Sequence, residues 1–338
     1  MKDITDYSLK GHNTFGIEAR CRRFLEYETA DEAVSIAGML RAVDTPYLII
    51  GAGSNLLLTS DYEGWVLRSA VSGIAMRDGG LVRCGSGECW DGVVDWTVAH
   101  GLCGAENLSL IPGDVGASAV QNIGAYGVEV KDLIVSVEAV EIATGRPVVF
   151  SRNDCRYGYR DSRFKHEWKN RYLITYVTYR LTPADSPAAT LNLSYGNVSF
   201  ELQRRGIDRP TARQLRDVII AMRNDKLPDP AVTGNAGSFF MNPVVSREKY
   251  EALAAQYPGM PHYPVDDDHE KIPAAWLIDQ CGWKGRSLGR AGVHDRQALV
   301  LVNRGGATGQ EIVNLCRAIQ HDVRQRFAVE LYPEVNIV

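Results

Sequence analysis

The sequence predicts an α+β protein of two or three domains. Three observations carry this expectation. Segments of helical spacing are interleaved with short apolar or alternating segments, and no internal repeat links them. At 338 residues the chain exceeds one typical domain. Apolar residues at 45% and charged residues at 23% are those of a globular chain able to bury its cores.

The elements follow in chain order. Residues 31–43 carry apolar side chains at roughly helical spacing, and residues 46–51 (PYLIIG) form an apolar run ending in glycine, the pattern of a buried strand. Trp90, Val93, Val94, Thr97 and Val98 recur every three or four residues, and Gly101 follows as a stop signal, which predicts an amphipathic helix over 89–100. Residues 134–142 (IVSVEAVEI) alternate, then Thr144 and Gly145 turn the chain into 147–150, a hairpin. Another strand is expected over 171–181, rich in Tyr, Ile, Val and Thr. Leu215, Val218, Ile219 and Met222 mark one face of a helix over 213–223. Pro228, Pro230 and Gly234 then break the pattern and place a domain boundary near Leu227. Thr308 and Glu311 have capping-box spacing before Ile312, Leu315, Cys316, Ile319 and Val323, so a long helix is expected over 309–327. Residues 329–338 look strand-like, interrupted by Pro333, and topological habit would return them to an earlier sheet.

Charge and composition exclude several classes. With 37 basic and 41 acidic side chains the net charge is −4, which leaves no basic footprint for nucleic acid. No apolar run approaches the ~18 residues of a membrane span. The opening MKDITD has two early acids and no apolar stretch, so a secretory signal is not expected. A cytoplasmic location is the expectation. The seven cysteines are scattered and contain no C-x-x-C, which suggests small core residues rather than disulfides or a zinc site.

Four segments suggest chemistry. Gly51, Ala52, Gly53, Ser54 and Asn55 follow the first apolar run directly. Glycines let backbone N–H groups surround an anion, so this turn suits a pyrophosphate, although it lacks the third glycine of the dinucleotide fingerprint. A tight strand-to-strand turn is the competing reading. Residues 111–127 (IPGDVGASAVQNIGAYG) have four glycines, small residues between them, and polar Ser118, Gln121 and Asn122. They read as a long loop with room for a flat ligand, on which Tyr126 can stack, with a glycine-rich core turn as the competing reading. Arg156, Tyr157, Tyr159, Arg160 and Asp161 suit recognition of a carboxylate or phosphate, with surface charge as the alternative. Lys226 closes a helix before a proline break, and Ser238 stands between a glycine and two aromatics, without the second glycine of a hydrolase elbow. Residues 266–270 (DDDHE) read as a solvated acidic loop, and residues 164–167 lack the second histidine of a zinc hydrolase, so no metal is expected.

GAGSN, IPGDVGASAVQNIGAYG, GYRDS, KLPDP, GNAGSFFMNP, AAWLIDQCGWKG and LYPEV occur in this order. Together they resemble the UDP-N-acetylenolpyruvoylglucosamine reductases, flavoenzymes of bacterial peptidoglycan synthesis, over nearly the whole chain. His262, Tyr263 and Pro264 resemble the type I branch with its tyrosine loop.

The resemblance implies a PCMH-type (vanillyl-alcohol-oxidase-like) FAD-binding fold of two α+β subdomains, 1–70 completed by 328–338 and 71–226, plus a third α+β domain at 227–327 for substrate. It implies FAD held by Gly51, Ala52, Gly53, Ser54, Asn55, Pro112, Gly113, Gly116, Ala117, Ser118, Gln121, Asn122, Ile123, Tyr126 and Ile174. NADPH would reduce the flavin and leave, and the enolpyruvyl ether of UDP-N-acetylglucosamine would follow, to be reduced to UDP-N-acetylmuramate. Hydride would pass from flavin N5 to the terminal vinyl carbon. Arg160 and Glu334 match residues that hold the substrate carboxylate, Glu334 in its protonated form because an ionised one would repel it. Ser238 matches the proton donor to the carbanionic carbon. Tyr195, Lys226, Asn242, Tyr263 and Gln297 match positions that hold the UDP moiety. A monomer is expected. One departure is Asn336, where the family often has a basic residue. Two readings compete: another flavin oxidoreductase of the same superfamily, and a UDP-sugar-binding module without catalysis.

Overall fold

A computed structural model describes residues 1–338, which divide into two compact units. The first comprises residues 1–7, 21–52 and 63–225; the second comprises 8–20, 53–62 and 226–338.

The first unit holds two large sheets and two short two-stranded ones. In one large sheet, the strands run in the order Lys2–Ser8, Arg20–Tyr27, Tyr62–Ser69, Tyr47–Ile50, with the last two parallel. Helix α1 (Ala30–Arg41) covers it, capped by Thr29, whose side chain accepts from the Glu32 N–H. Ile36, Ala37, Leu25, Tyr27 and Leu67 form the core beneath. The expected strand at 46–51 is Tyr47–Ile50, because Pro46 has no N–H to pair and Gly51 begins the turn.

The other large sheet is antiparallel, in the order Pro147–Ser151, Ile134–Glu141, Tyr172–Arg180, Leu81–Gly85, Ile74–Arg77. The hairpin expected around Thr144 and Gly145 is its outer pair. Helix α2 (Trp90–Ala99) buries Trp90, Val93, Val94 and Thr97, the face that the sequence spacing marks. Residues 111–127, expected as a loop, contain helix α3 (Val115–Gln121), closed by Asn122 at φ 49°. Gly116, Ala117, Ser118 and Ala119 hide the helical period because they are nearly alike in size and polarity.

Helices α4 (Val198–Arg204) and α5 (Ala212–Lys226) pack through Val198, Leu202, Leu215, Val218, Ile219 and Met222. Buried Arg216 on α5 donates to both carboxylate oxygens of Asp91 on α2, at 2.7 and 3.0 Å. A pair of this kind fixes the register of two helices more than it adds net stability.

The second unit holds an antiparallel sheet in the order Asn235–Ser238, Val300–Asn303, Ala291–Val293, Ser287–Leu288. A smaller sheet runs Val244–Ser246, His269–Lys271, Tyr263–Pro264. Helices α6 (Arg247–Gln256), α7 (Ala274–Gln280) and α8 (Gly309–Phe327) surround a core of Ile278, Leu301, Ile312, Leu315, Ile319, Val323, Phe239 and Phe240. The capping box of α8 is formed reciprocally: Thr308 accepts from the Glu311 N–H at 3.2 Å, and Glu311 accepts from the Thr308 N–H at 2.8 Å.

The strand expected over 329–338 is realised only at Asn336–Ile337, parallel to Leu56–Leu57. Leu331 and Val335 are buried in the unit core, and Pro333 cannot donate to a ladder. Five of the seven cysteines are buried; Cys281 is half-buried and Cys89 exposed. No helix is long and apolar enough to cross a membrane.

Candidate functional site

In the first unit, two groups of the expected residues come together. One lies at the turn after Tyr47–Ile50. A Cβ on Gly51 would stand 3.0 Å from the Ala117 Cβ, so the turn presses against α3 and only glycine fits there without displacement. The Gly116 N–H donates to Ser86 O at 2.9 Å, and Ser86 Oγ donates to Ile174 O at 2.7 Å. Gly116 and Ile174 thereby share one buried serine. The Trp90 N–H donates to Gly113 O, which anchors the start of the glycine-rich segment on α2.

The second group centres on Arg160, which sits at φ 53° and donates to Gly124 O at 2.6 Å and to Asn122 O at 3.4 Å. Asn122 is fully buried and donates to Gly158 O at 2.6 Å, tying the glycine-rich segment to the GYRDS segment. Tyr126, at φ 48°, meets Tyr195 edge-on with ring centroids 6.3 Å apart. Burial raises the Tyr126 hydroxyl above its usual range, and the nearby Arg223 guanidinium partly offsets this. Arg223 itself is shifted downward by burial, with Arg160 adding to the shift.

In the second unit, Ser238 ends its strand exposed, directly before the buried Phe239 and Phe240. The Glu334 N–H donates to Phe239 O at 2.8 Å, and Phe240 bridges Pro333. Asn55 donates to Glu334 O at 3.2 Å, and Asn55 O accepts from Asn336. Ser238, Glu334 and Asn55 are therefore held by adjacent backbone. Gln297 joins them through Leu299, whose N–H donates to the Gln297 side chain at 3.3 Å while Leu299 O accepts from Phe239.

Asn242 accepts from the Ala274 N–H at 2.9 Å and so occupies the start of α7. Lys226 is exposed at the end of α5, and Tyr263 is exposed on an edge strand near the Lys271 ammonium.

An elongated, anionic, ring-bearing cofactor such as FAD fits the residues of the first unit. Arg68 Nε, Asp114 Oδ2 and Arg223 Nε are buried without a hydrogen-bond partner. Groups of this kind are met by a ligand or by water. Sequence reasoning missed all three. Arg223 stands within the MRNDK run of α5, where the helical pattern masks it. Asp114 precedes α3 but does not cap it.

Comparison with known proteins places this geometry. Residues 22–151 match a family described as FAD binding domain, and residues 229–338 match UDP-N-acetylenolpyruvoylglucosamine reductase, C-terminal domain. The chain is 52% identical over 337 residues to the UDP-N-acetylenolpyruvoylglucosamine reductase of Bacteroides fragilis, covering 98% of this chain and 99% of that protein. It is 48% identical to the enzyme of the same name from Burkholderia multivorans, covering 98% and 95%. A crystal structure of the reductase from Thermus caldophilus shares the fold, with TM-score 0.68 at 23% identity, covering 99% of this chain and 98% of that one. The α+β, PCMH-type fold expected from the motifs agrees with these matches. On full-length identity above half, the chain belongs to the UDP-N-acetylenolpyruvoylglucosamine reductase family and is an FAD-binding oxidoreductase.

Proposed function

We propose that this protein reduces the enolpyruvyl ether of UDP-N-acetylglucosamine to UDP-N-acetylmuramate with electrons from NADPH, a step of bacterial peptidoglycan precursor synthesis. The observation that best supports the reading is the backbone pairing that holds Ser238 beside Glu334 and Asn55. Bound FAD supplies a hydride relay from NADPH to the terminal vinyl carbon.

The chain's own residues do the rest. Hydride arrival leaves negative charge on the adjacent carbon, which spreads into the carboxylate. Arg160 steadies that charge with a guanidinium already oriented by Gly124 O. Glu334, protonated, donates to the same carboxylate. Ser238 delivers a proton to the carbanionic carbon; the hydroxyl is a weak acid, but the carbon is a far stronger base, so the transfer runs downhill. Its exposed position at a strand end leaves the hydroxyl accessible to a substrate. Lys226 meets the diphosphate as a point charge, and Tyr195, Asn242, Tyr263 and Gln297 offer neutral hydrogen bonds to the nucleotide. Residues 1–70 with 328–338 and residues 71–226 carry the cofactor, and residues 227–327 carry the sugar nucleotide. The protein works as a monomer in the cytoplasm.

Lys226→Ala and Tyr263→Phe test the substrate assignment. Both should raise the KM for the UDP-sugar while leaving the rate of flavin reduction by NADPH near its starting value. A charged hydrogen bond is worth ~1.5–3 kcal/mol, so about a ten- to hundred-fold rise is expected for the lysine. Steady-state kinetics showing an unchanged KM would return both residues to the role of solvated surface groups.

A further inference from the structure

Asp114 is a buried carboxyl with an unusual set of neighbours. It occupies the N-cap position of α3, where aspartate ordinarily accepts from the first helical N–H groups, yet its side chain makes no capping bond. The carboxyl is turned instead toward the Gly51–Ala52 turn. The Ala52 N–H donates to it, and a Cβ on Gly51 would lie 3.4 Å from Oδ2. Asp114 is only 6% exposed, and Oδ2 has no hydrogen-bond partner.

The charged groups around it are few. Arg68 Nη2 lies 3.6 Å from Oδ2, too far for a hydrogen bond, and Arg68 Nη1 is committed to Glu26 at 2.7 Å. Arg68 Nε is also buried and unpartnered. Glu26 adds a like charge from the neighbouring strand. On the segment before α2, Cys89 pairs with Asp114 through backbone, while the Glu88 carboxylate accepts from the Gly73 N–H at 2.6 Å. Burial pushes the Asp114 carboxyl up to about 6, with Arg68 and the Ala52 N–H offsetting only part of it.

We propose that Asp114 is a cofactor-binding residue whose protonated carboxyl donates to an anionic oxygen of FAD, so that its ionisation weakens FAD binding. An ionised Asp114 would repel the diphosphate and keep the Ala52 N–H for itself. A protonated one has a hydroxyl at an atom for which the chain supplies no acceptor. The inference rests on the assignment of Gly51 and Ala52 to FAD made above.

The sign follows directly. The form that binds is protonated, so affinity is greatest below the carboxyl's own range and falls as pH rises through it. The diphosphate keeps its charge throughout. Titration of apo-protein with FAD, followed by flavin fluorescence, should show a dissociation constant rising about ten- to hundred-fold from about pH 5 to about pH 8. Asp114→Asn keeps shape and a neutral donor, so its affinity should be flat with pH and match the wild type's low-pH value. Asp114→Ser, with a hydroxyl donor, should also lose the slope, and circular dichroism of each apo-variant confirms folding. Variants that retain the wild-type slope would overturn the inference, as expected if Oδ2 merely holds a buried water. Gly51→Val separates the two levels, because its side chain would press on Ala117. Unchanged FAD affinity there would refute the assignment of the turn itself. Weakened affinity there, with the slope intact in Asp114→Asn, would refute the role of Asp114 alone.

Discussion

Ser238→Ala should leave FAD binding and flavin reduction by NADPH nearly intact, while slowing flavin reoxidation by the enolpyruvyl substrate at least ~10²–10⁴-fold. The first two events need no proton at the substrate carbon, and the last one does. Ser238 is exposed at the end of its strand, so losing one hydroxyl creates no cavity. The neighbouring fold is held by main chain, through the bonds Phe239 N–H to Leu299 O at 2.8 Å and Glu334 N–H to Phe239 O at 2.8 Å. The variant should therefore fold normally. Ser238→Cys should recover part of the rate, since a thiol can donate from nearly the same place. Stopped-flow measurement of the two half-reactions distinguishes this from a structural role. Equal slowing of both, or no slowing of the second, would remove Ser238 from the catalytic set.

Gly53→Ala is expected to be the most damaging small substitution near the cofactor segment. Gly53 has φ +70°, and an added Cβ would lie 1.9 Å from His12 O and 2.8 Å from the Asn13 Cα. Both obstacles are backbone, and the Thr14 N–H donates to Gly53 O at 3.2 Å, so neither side can give way freely. The left-handed conformation costs a non-glycine residue ~1–2 kcal/mol, and forced overpacking adds ~1–3 kcal/mol, for a total of about 2–5 kcal/mol. Gly101→Ala is the matched control, at φ +69° with nothing within 4 Å, and should cost only the conformational part. Urea unfolding of both variants compares them. Near-equal stabilities would mean that the close approach at Gly53 is not the constraint described. FAD retention should fall with Gly53→Ala as well, because Ser54 and Asn55 move with it.

Much of the fold was legible because its signals are local. The capping box at Thr308, the apolar face of α2 and the turn at Thr144–Gly145 each depend on residues within a few positions of one another. What escaped depends on distant meetings. Nothing local to Asp114 says that it forgoes its helix cap for the Gly51 turn, and nothing local to Arg223 says that its guanidinium is buried within electrostatic reach of Tyr126 and Arg160. The helix inside 111–127 escaped for another reason, since a run of small residues carries no amphipathic period. The closing segment is a strand only at Asn336–Ile337, because Leu331 and Val335 enter the core and Pro333 cannot donate to a ladder. Of the residues proposed for the site, the structure shows which share a scaffold. Ser238, Glu334 and Asn55 do so, through the pairing of Phe239 with Glu334 and of Asn55 with Glu334.

The central claim is that electrons pass from NADPH through the bound flavin to the enolpyruvyl carbon. Anaerobic double-mixing stopped flow tests it most directly. NADPH added first should bleach the flavin absorbance completely, with no UDP-sugar present. Addition of the enolpyruvyl UDP-N-acetylglucosamine should then restore the oxidised spectrum in a single turnover, with one equivalent of UDP-N-acetylmuramate formed per flavin. A flavin that bleaches but is restored only by oxygen, with no lactyl product, would contradict the account.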